Sequence, residues 1–244
     1  MIRKKTVYNL IRVCEIYYES ENVVLDVIRK YSFHSARVYS YLPMNLPDDF
    51  KLSRVKKTTR IFLTSKTDED ILLSFKKNYR NEIRKTYKEN YSFKLVKGFS
   101  EEGYSLYDVF EKESNRPSLK RRNANGIWAL GCCNGKVVSG IYLIDANPVL
   151  KVISIFSSRK HDENVSQKDI GYISKRLIYE VCCFGGARGF EYVDLAYINM
   201  TDESKSGINR FKLGFGGDIV DEYLYERHTR FLSVLKSVRK NIGL

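Results

Sequence analysis

The sequence predicts a mixed α/β (α+β) fold built around a mostly antiparallel sheet. Three observations carry that prediction. Asn134-Gly135 separates GIWALGCC from KVVSGIYLID, two apolar runs of strand composition joined by a two-residue hairpin signal. Leu72, Phe75, Tyr79, Ile83 and Tyr87 recur at steps of three and four, the period of an amphipathic helix. EYVDLAYI (191–198) is apolar on both alternating sets, as in a strand covered on both faces.

The elements follow in chain order. In the first 50 residues only ENVVLDVIRKYSF reads as a helix and SARVYSYLP as a strand, and Pro43 and Pro47 mark a loop. RIFLT (60–64) is a short strand. A single helix is expected over Asp68–Asn90, capped by Thr67 or Asp68, with Asp68, Glu69 and Asp70 at the positive end of its dipole. Beside its apolar stripe runs a row of cations at spacing four: Lys76, Arg80, Arg84 and Lys88. YSFKLVKG alternates as a strand, 101–114 reads as a helix, and Pro117–Gly126 is a basic loop. The hairpin and LKVISIFSS form a three-stranded meander, with Trp128 and Tyr142 as sheet residues. A long helix is expected over Lys168–Phe184, ended by Gly185-Gly186. After the buried strand come a short helix (204–213), a GFGG turn and a last strand, DIVDEYLYER. A terminal helix is expected over Arg230–Asn241, with Val234, Leu235 and Val238 inward. The division that results is an N-terminal extension or partial domain, 1–57, followed by one domain, 58–244.

Composition bounds the function. The 244 residues carry 42 Lys and Arg against 29 Asp and Glu, a net charge of +13. Residues 51–97 hold 14 basic and 5 acidic side chains, a net of +9, so the surplus is a local footprint for an anionic partner. No run of 18 apolar residues predicts a transmembrane segment. The N-terminus does not read as a secretory signal. Five cysteines, four of them in the adjacent pairs Cys132/Cys133 and Cys182/Cys183, read as reduced thiols of a cytoplasmic protein. No zinc spacing, P-loop, dinucleotide fingerprint or nucleophile elbow occurs, so no metal is expected.

The element order resembles the GNAT acyltransferase superfamily. Within it, YVDLAYINMTDESKSGINRFKLGFGG (192–217) is similar to the FemAB-type branch. There a buried strand bearing Asp is followed by Gly-x-x-x-Phe-Lys-x-Gly-Phe-Gly-Gly. Asn78-x-Arg80-x-x-Ile83-Arg84-Lys85 resembles a second segment of that branch, and the resemblance spans about residues 58–230. It implies a sheet with a splayed central strand pair, here VISIF (152–156) and YVDLA (192–196), where a backbone N–H serves as oxyanion donor. Two positions depart from the superfamily. The pyrophosphate loop before the central helix is replaced by Ser-Gln-Lys-Asp-Ile-Gly (166–171), and the Tyr that protonates a leaving thiolate is replaced by Arg210.

Lys212 is the leading catalytic candidate. The resemblance implies that it lies near the reacting carbonyl or a substrate phosphate, where an ammonium would stabilise developing negative charge. Asp194, in the middle of an apolar strand, is costly unless it is paired or used. It is a general base, an anchor for an acceptor amine, or one half of a structural ion pair. Phe211, Arg210, Tyr197 and Asn199 are candidate substrate contacts. Arg80 and Arg84 form a phosphate ladder beside Tyr79 and Tyr87, or else a solvated helix face. Gln167, Lys168 and Gly171, at the start of the central helix, are the candidate cofactor contacts, since free N–H groups there favour an anion.

The expected function is N-acyl transfer from acyl-CoA or aminoacyl-tRNA to a primary amine of a cell-envelope or polysaccharide precursor, such as a nucleotide-linked amino sugar. The rival is a non-catalytic RNA-binding or scaffold protein that keeps the fold. A third reading is a dimerising accessory protein, a homodimer with residues 1–55 as its interface.

Overall fold

The computed structural model describes residues 1–7, 11–158 and 165–229. The helix expected over Arg230–Asn241 lies outside them. The chain divides into two compact units. One is Met1–Thr58 with the described residues 219–229, and the other is Thr59–Asp218. The last strand, grouped by the sequence reading with residues 58–244, therefore falls with the N-terminal segment.

In the first unit β1 (Ile2–Val7) and β2 (Ile11–Tyr17) are antiparallel, and β2 runs parallel to β3 (Ser35–Ser40). Between them, α1 (Glu21–Lys30) buries Val24 and Val27. β4 (Lys51–Phe62) runs on into the second unit. β1 and β2 escape the sequence reading because charged residues interrupt their alternation. One of these, Glu15, is buried and pairs with Arg37 at 3.7 Å.

The second unit contains the expected meander. β5 (Tyr91–Gly98), β6 (Gly126–Cys133), β7 (Lys136–Ala146) and β8 (Val149–Ser157) pair antiparallel in sequence order. The hairpin turn is the one its residues demand, since Asn134 and Gly135 both have positive φ (50° and 77°). Trp128 and Tyr142 pair across β6 and β7, fully buried, with rings 4.6 Å apart. β9 (Tyr192–Tyr197) runs parallel to β8, with β4 as its other neighbour. The structure is thus a mixed α/β fold with a mostly antiparallel sheet flanked by helices. Among the described residues no helix is long and apolar enough to cross a membrane, and the five cysteines are free thiols.

The helices correct two expectations. The span Asp68–Asn90 is not one rod. It breaks into α2 (Asp68–Ser74), α3 (Lys77–Lys85) and a single 3₁₀ turn over Thr86–Lys88. Phe75 and Lys76 are extended (ψ 155° and 145°), and the Lys76 N–H donates to the Gly214 carbonyl at 2.9 Å. This break points Phe75 edge-on into Phe215, with centroids 5.0 Å apart. Propensity alone favours continuation, so tertiary packing decides. The long helix, α5 (Gln167–Ala187), runs past Gly185-Gly186, and the left-handed residue after it is Gly189 (φ 74°). Gly185 lies inside the helix, where a Cβ would stand 2.8 Å from Leu63. Between these helices, α4 (Glu101–Glu113) lies where it was expected.

The last helix among the described residues, α6 (Ser206–Leu213), carries the residues of interest. Phe211 and Phe215 pack on Tyr79 and Phe75 of the broken helix pair, and the Tyr79 hydroxyl donates to the Arg210 carbonyl at 3.4 Å. The turn that follows is equally tight. Gly216 has φ 68°, and a Cβ on it would lie 2.1 Å from the Ser74 carbonyl oxygen. Gly216→Ala is therefore expected to lower stability by about 3 kcal/mol through left-handed strain and a backbone clash. A urea midpoint equal to that of the parent would contradict it.

Candidate active site

The site lies where β8 and β9 part. Their ladder has three pairs, Val149↔Tyr192, Leu150↔Val193 and Lys151↔Asp194. Just beyond, β8 carries a bulge. Leu143 faces Val152 and Tyr142 faces Ser154, which leaves Ile153 as the extra residue and 40% exposed. The bulge turns β8 away from β9, so the edge of Val152–Ile155 has no β9 partner in that ladder. A cavity of about 430 Å³ opens there. Its walls include Val152–Ile155, Leu195, Ala196, Glu111, Arg116, Ile208 and Lys212.

Lys212 projects into this cavity from α6 and is 8% exposed. Its Nζ donates to the Tyr197 carbonyl at 2.8 Å. Burial pushes its pKa down to about 8. Asp194 raises it and Lys151 lowers it further. A lysine so placed holds a proton at neutral pH but binds it weakly.

Asp194 is fully buried and not among the cavity walls. Its Oδ1 accepts the Ala196 N–H at 2.6 Å, and its Oδ2 lies 3.3 Å from Lys151 Nζ. The first contact holds Ala196 at φ 63°, which non-glycine residues seldom adopt. That kink sets the direction of the Tyr197 carbonyl, which in turn holds Lys212. Lys151, Asp194, Ala196, Tyr197 and Lys212 form one connected series.

Asn199 has a structural job. Asn209 clamps its backbone, accepting the Asn199 N–H at 3.2 Å and donating to its carbonyl at 2.6 Å. The Asn199 side chain accepts from Thr201. Asn209 and Lys212 are three residues apart, so both fall on the face of α6 that grips the end of β9.

The opposite wall is ionic. Buried Glu111 accepts from Ser154 Oγ at 2.8 Å and pairs with Arg116 Nε at 2.8 Å. Sequence reasoning missed Glu111, Arg116, Lys151, Ser154 and Asn209. Lys151 carried a usable signal, since it interrupts an apolar strand just as Asp194 does. Glu111 carried none, because an acid in the last turn of a surface helix is ordinary.

A second cavity of about 390 Å³ adjoins the first, with Ile155 and Ile208 common to both linings. Phe211 lines this one together with Phe110, Phe156 and Gly207.

The other predicted contacts lie elsewhere. Arg210 is exposed and lines neither cavity. The cation row is broken with its helix. The Arg80 guanidinium donates to the Leu73 carbonyl at 3.0 Å, and Arg84 pairs with Glu69 at 3.0 Å. Of the apolar stripe, Tyr87 is 59% exposed, with the Arg176 guanidinium 3.5 Å above its ring. Gln167 and Lys168 are exposed on the first turn of α5, and Gly171 is buried on its second. Ser166 caps that helix and exchanges hydrogen bonds with Asp169. A donor phosphate at this end would meet the Asp169 carboxylate, so the helix start alone does not build an anion site. Among the described residues no group of three or more His, Cys, Asp and Glu side chains could hold a metal ion.

No protein-family model matches the chain, and no curated protein matches it. Solved structures do. FemX aligns over 91% of this chain and 83% of its own, with TM-score 0.59 and 12% identity. L-PGS from Bacillus licheniformis aligns over 99% and 85%, with TM-score 0.52 and 14% identity. A C-terminal DUF2156 domain from Agrobacterium fabrum, of a protein named as a lysylphosphatidylglycerol synthetase, aligns over 99% and 88%, with TM-score 0.55 and 11% identity. At such identities the likeness is one of fold, which this chain shares with these three structures.

Proposed function

We propose that the protein is an N-acyltransferase. It would move an acyl or aminoacyl group from acyl-CoA or aminoacyl-tRNA to a primary amine of a cell-envelope or polysaccharide precursor, such as a nucleotide-linked amino sugar. The observation that carries this reading is the buried, proton-bearing Lys212 in a cavity opened by the parting of two central strands.

Attack of an amine on an acyl carbon places negative charge on the carbonyl oxygen. The Lys212 ammonium would stabilise that oxyanion, assisted by backbone N–H groups of β8 along the edge that β9 leaves. The low local dielectric strengthens the attraction. Glu111, held by Arg116 and Ser154, offers the incoming amine a carboxylate to dock against. Asp194 acts through Ala196 and Tyr197 as a positioning residue. Phe211 lines the adjoining cavity, and Tyr197 and Asn199 shape the exit of β9.

The donor is separated by ligand-induced stabilisation. The ligand that binds the native state raises Tm, by roughly 2.7 kcal/mol of stability at a hundred-fold excess over Kd. Acetyl-CoA and charged tRNA are compared in parallel, and transfer of a labelled acyl group to an amino-sugar nucleotide is followed with each. If tRNA is the donor, its affinity falls steeply with salt. Failure of both donors to stabilise the protein and to support transfer would remove the acyltransferase reading.

A further inference from the structure

The second cavity has a chemistry of its own. Phe110, Ile155, Phe156, Ile208 and Phe211 give it a mostly apolar lining, to which Glu113, Ser114, Ser157 and Ser174 add polar groups. Its volume, about 390 Å³, is that of a small-molecule pocket. It shares Ile155 and Ile208 with the Lys212 cavity. A carbonyl carbon held beside Lys212 therefore has an apolar space within reach on one side and an ionic wall, Glu111 with Arg116, on the other. A methyl group would leave most of that space empty or wet.

We infer that the apolar cavity receives the substituent on the transferred carbonyl, and that this substituent is a medium-sized apolar group rather than a methyl. This rests on the acyl-transfer reading above. Two sources share the chemistry: a short aliphatic acyl chain on coenzyme A, and the apolar side chain of an aminoacyl ester. The transfer step is the same for both. The amine nitrogen forms a bond to the carbonyl carbon, the thioester sulfur or ester oxygen leaves, and the amine's proton ends on the leaving group or in solvent.

Gly207 supplies the control point. It lines the cavity from the first turn of α6, its backbone has no positive φ, and no atom lies within 4 Å of where its Cβ would stand. A side chain added there enters open space without backbone strain. Gly207→Phe thus adds a large side chain to the cavity lining without backbone strain or a clash at Cβ.

The experiment has a binding arm and a transfer arm. In the first, titration calorimetry compares acetyl-CoA with hexanoyl-CoA, and L-alaninamide with L-leucinamide, on the full chain. Burial of each added methylene is expected to tighten binding roughly four-fold within the pair that matches the natural donor. Gly207→Phe is expected to cut the longer-to-shorter ratio at least ten-fold. In the second arm, transfer from acetyl-CoA and hexanoyl-CoA, and from alanyl-tRNA and leucyl-tRNA, is followed to a common amine. The same ratio should fall in Gly207→Phe. The responding pair identifies the source.

Equal binding of short and long probes by the parent protein overturns the inference, as does a Gly207→Phe variant that weakens both members of a pair equally. Size-dependent binding without any transfer removes the acyltransferase reading and with it the assignment of the bound group to a transferred carbonyl, leaving only a size-selective cavity. Transfer without size dependence overturns the inference and keeps the acyltransferase reading.

Discussion

Replacing Lys212 with Met is expected to make the protein more stable and nearly inactive. At neutral pH the buried ammonium is a liability. Its pKa falls from 10.5 to about 8 on folding. At 1.36 kcal/mol per unit this corresponds to a cost of roughly 3 kcal/mol below pH 8. Between pH 8 and 10.5 the unfolded chain binds the proton and the folded one does not, so stability rises with pH across that window. Met fills a similar volume without charge, so Lys212→Met should gain roughly 1–3 kcal/mol at pH 7, part of the gain being lost with the hydrogen bond to the Tyr197 carbonyl. The advantage should vanish near pH 10.5. Turnover should fall about 10²–10³-fold, the usual cost of removing one donor to a developing oxyanion. In the parent, kcat should decline as pH rises through about 8. Urea unfolding at pH 7 and pH 10, with kcat at both, tests the pair of claims. A variant that is less stable at pH 7, or that keeps its turnover, would refute the assigned role.

The legible and illegible parts of this molecule differ in a physical way. The meander could be read because its turns are local: Asn134-Gly135 can hardly be anything but a hairpin turn. β9 could be read because a strand covered on both faces must be apolar along its length. The break at Phe75-Lys76 could not, because what stops the helix is the carbonyl of Gly214, more than a hundred residues away. The cation row Lys76, Arg80, Arg84 and Lys88 assumed a straight helix, and the break puts Lys76 outside the helix that carries Arg80 and Arg84. Lys212 and Phe211 were accessible only through a resemblance of sequence pattern, since periodicity gives a lysine on a short helix no special standing. Lys151 and Glu111 illustrate the limit. Each is a buried half of an ion pair, and its partner is set by strand register or loop return rather than by spacing along the chain.

Asp194→Asn is expected to cost stability and to move the pH profile, a combination that distinguishes positioning from general-base catalysis. The substitution leaves Lys151 buried without the carboxylate that faces it at 3.3 Å, and stranding one member of a buried pair typically costs about 3–5 kcal/mol. It also weakens the contact that holds Ala196 in its left-handed turn. Because Asp194 raises the pKa of Lys212, its loss should lower that pKa further, and the descending limb of kcat should shift below pH 8. A general base would behave otherwise. Its removal would abolish the ascending limb at acid pH in addition to shifting the limb near pH 8, and would lower kcat at every pH. The double variant Asp194→Asn/Lys151→Met separates structure from chemistry. It removes the stranded charge, so most of the lost stability should return, as when a buried ion pair is replaced by apolar groups of similar volume. It also removes the Lys151 ammonium that lowers the Lys212 pKa, so the limb should move back toward pH 8. If the double variant recovers both stability and the limb, Asp194 serves the site by holding the strand and setting the field around Lys212. If stability returns while turnover remains lost at every pH, the carboxylate itself takes part in the reaction.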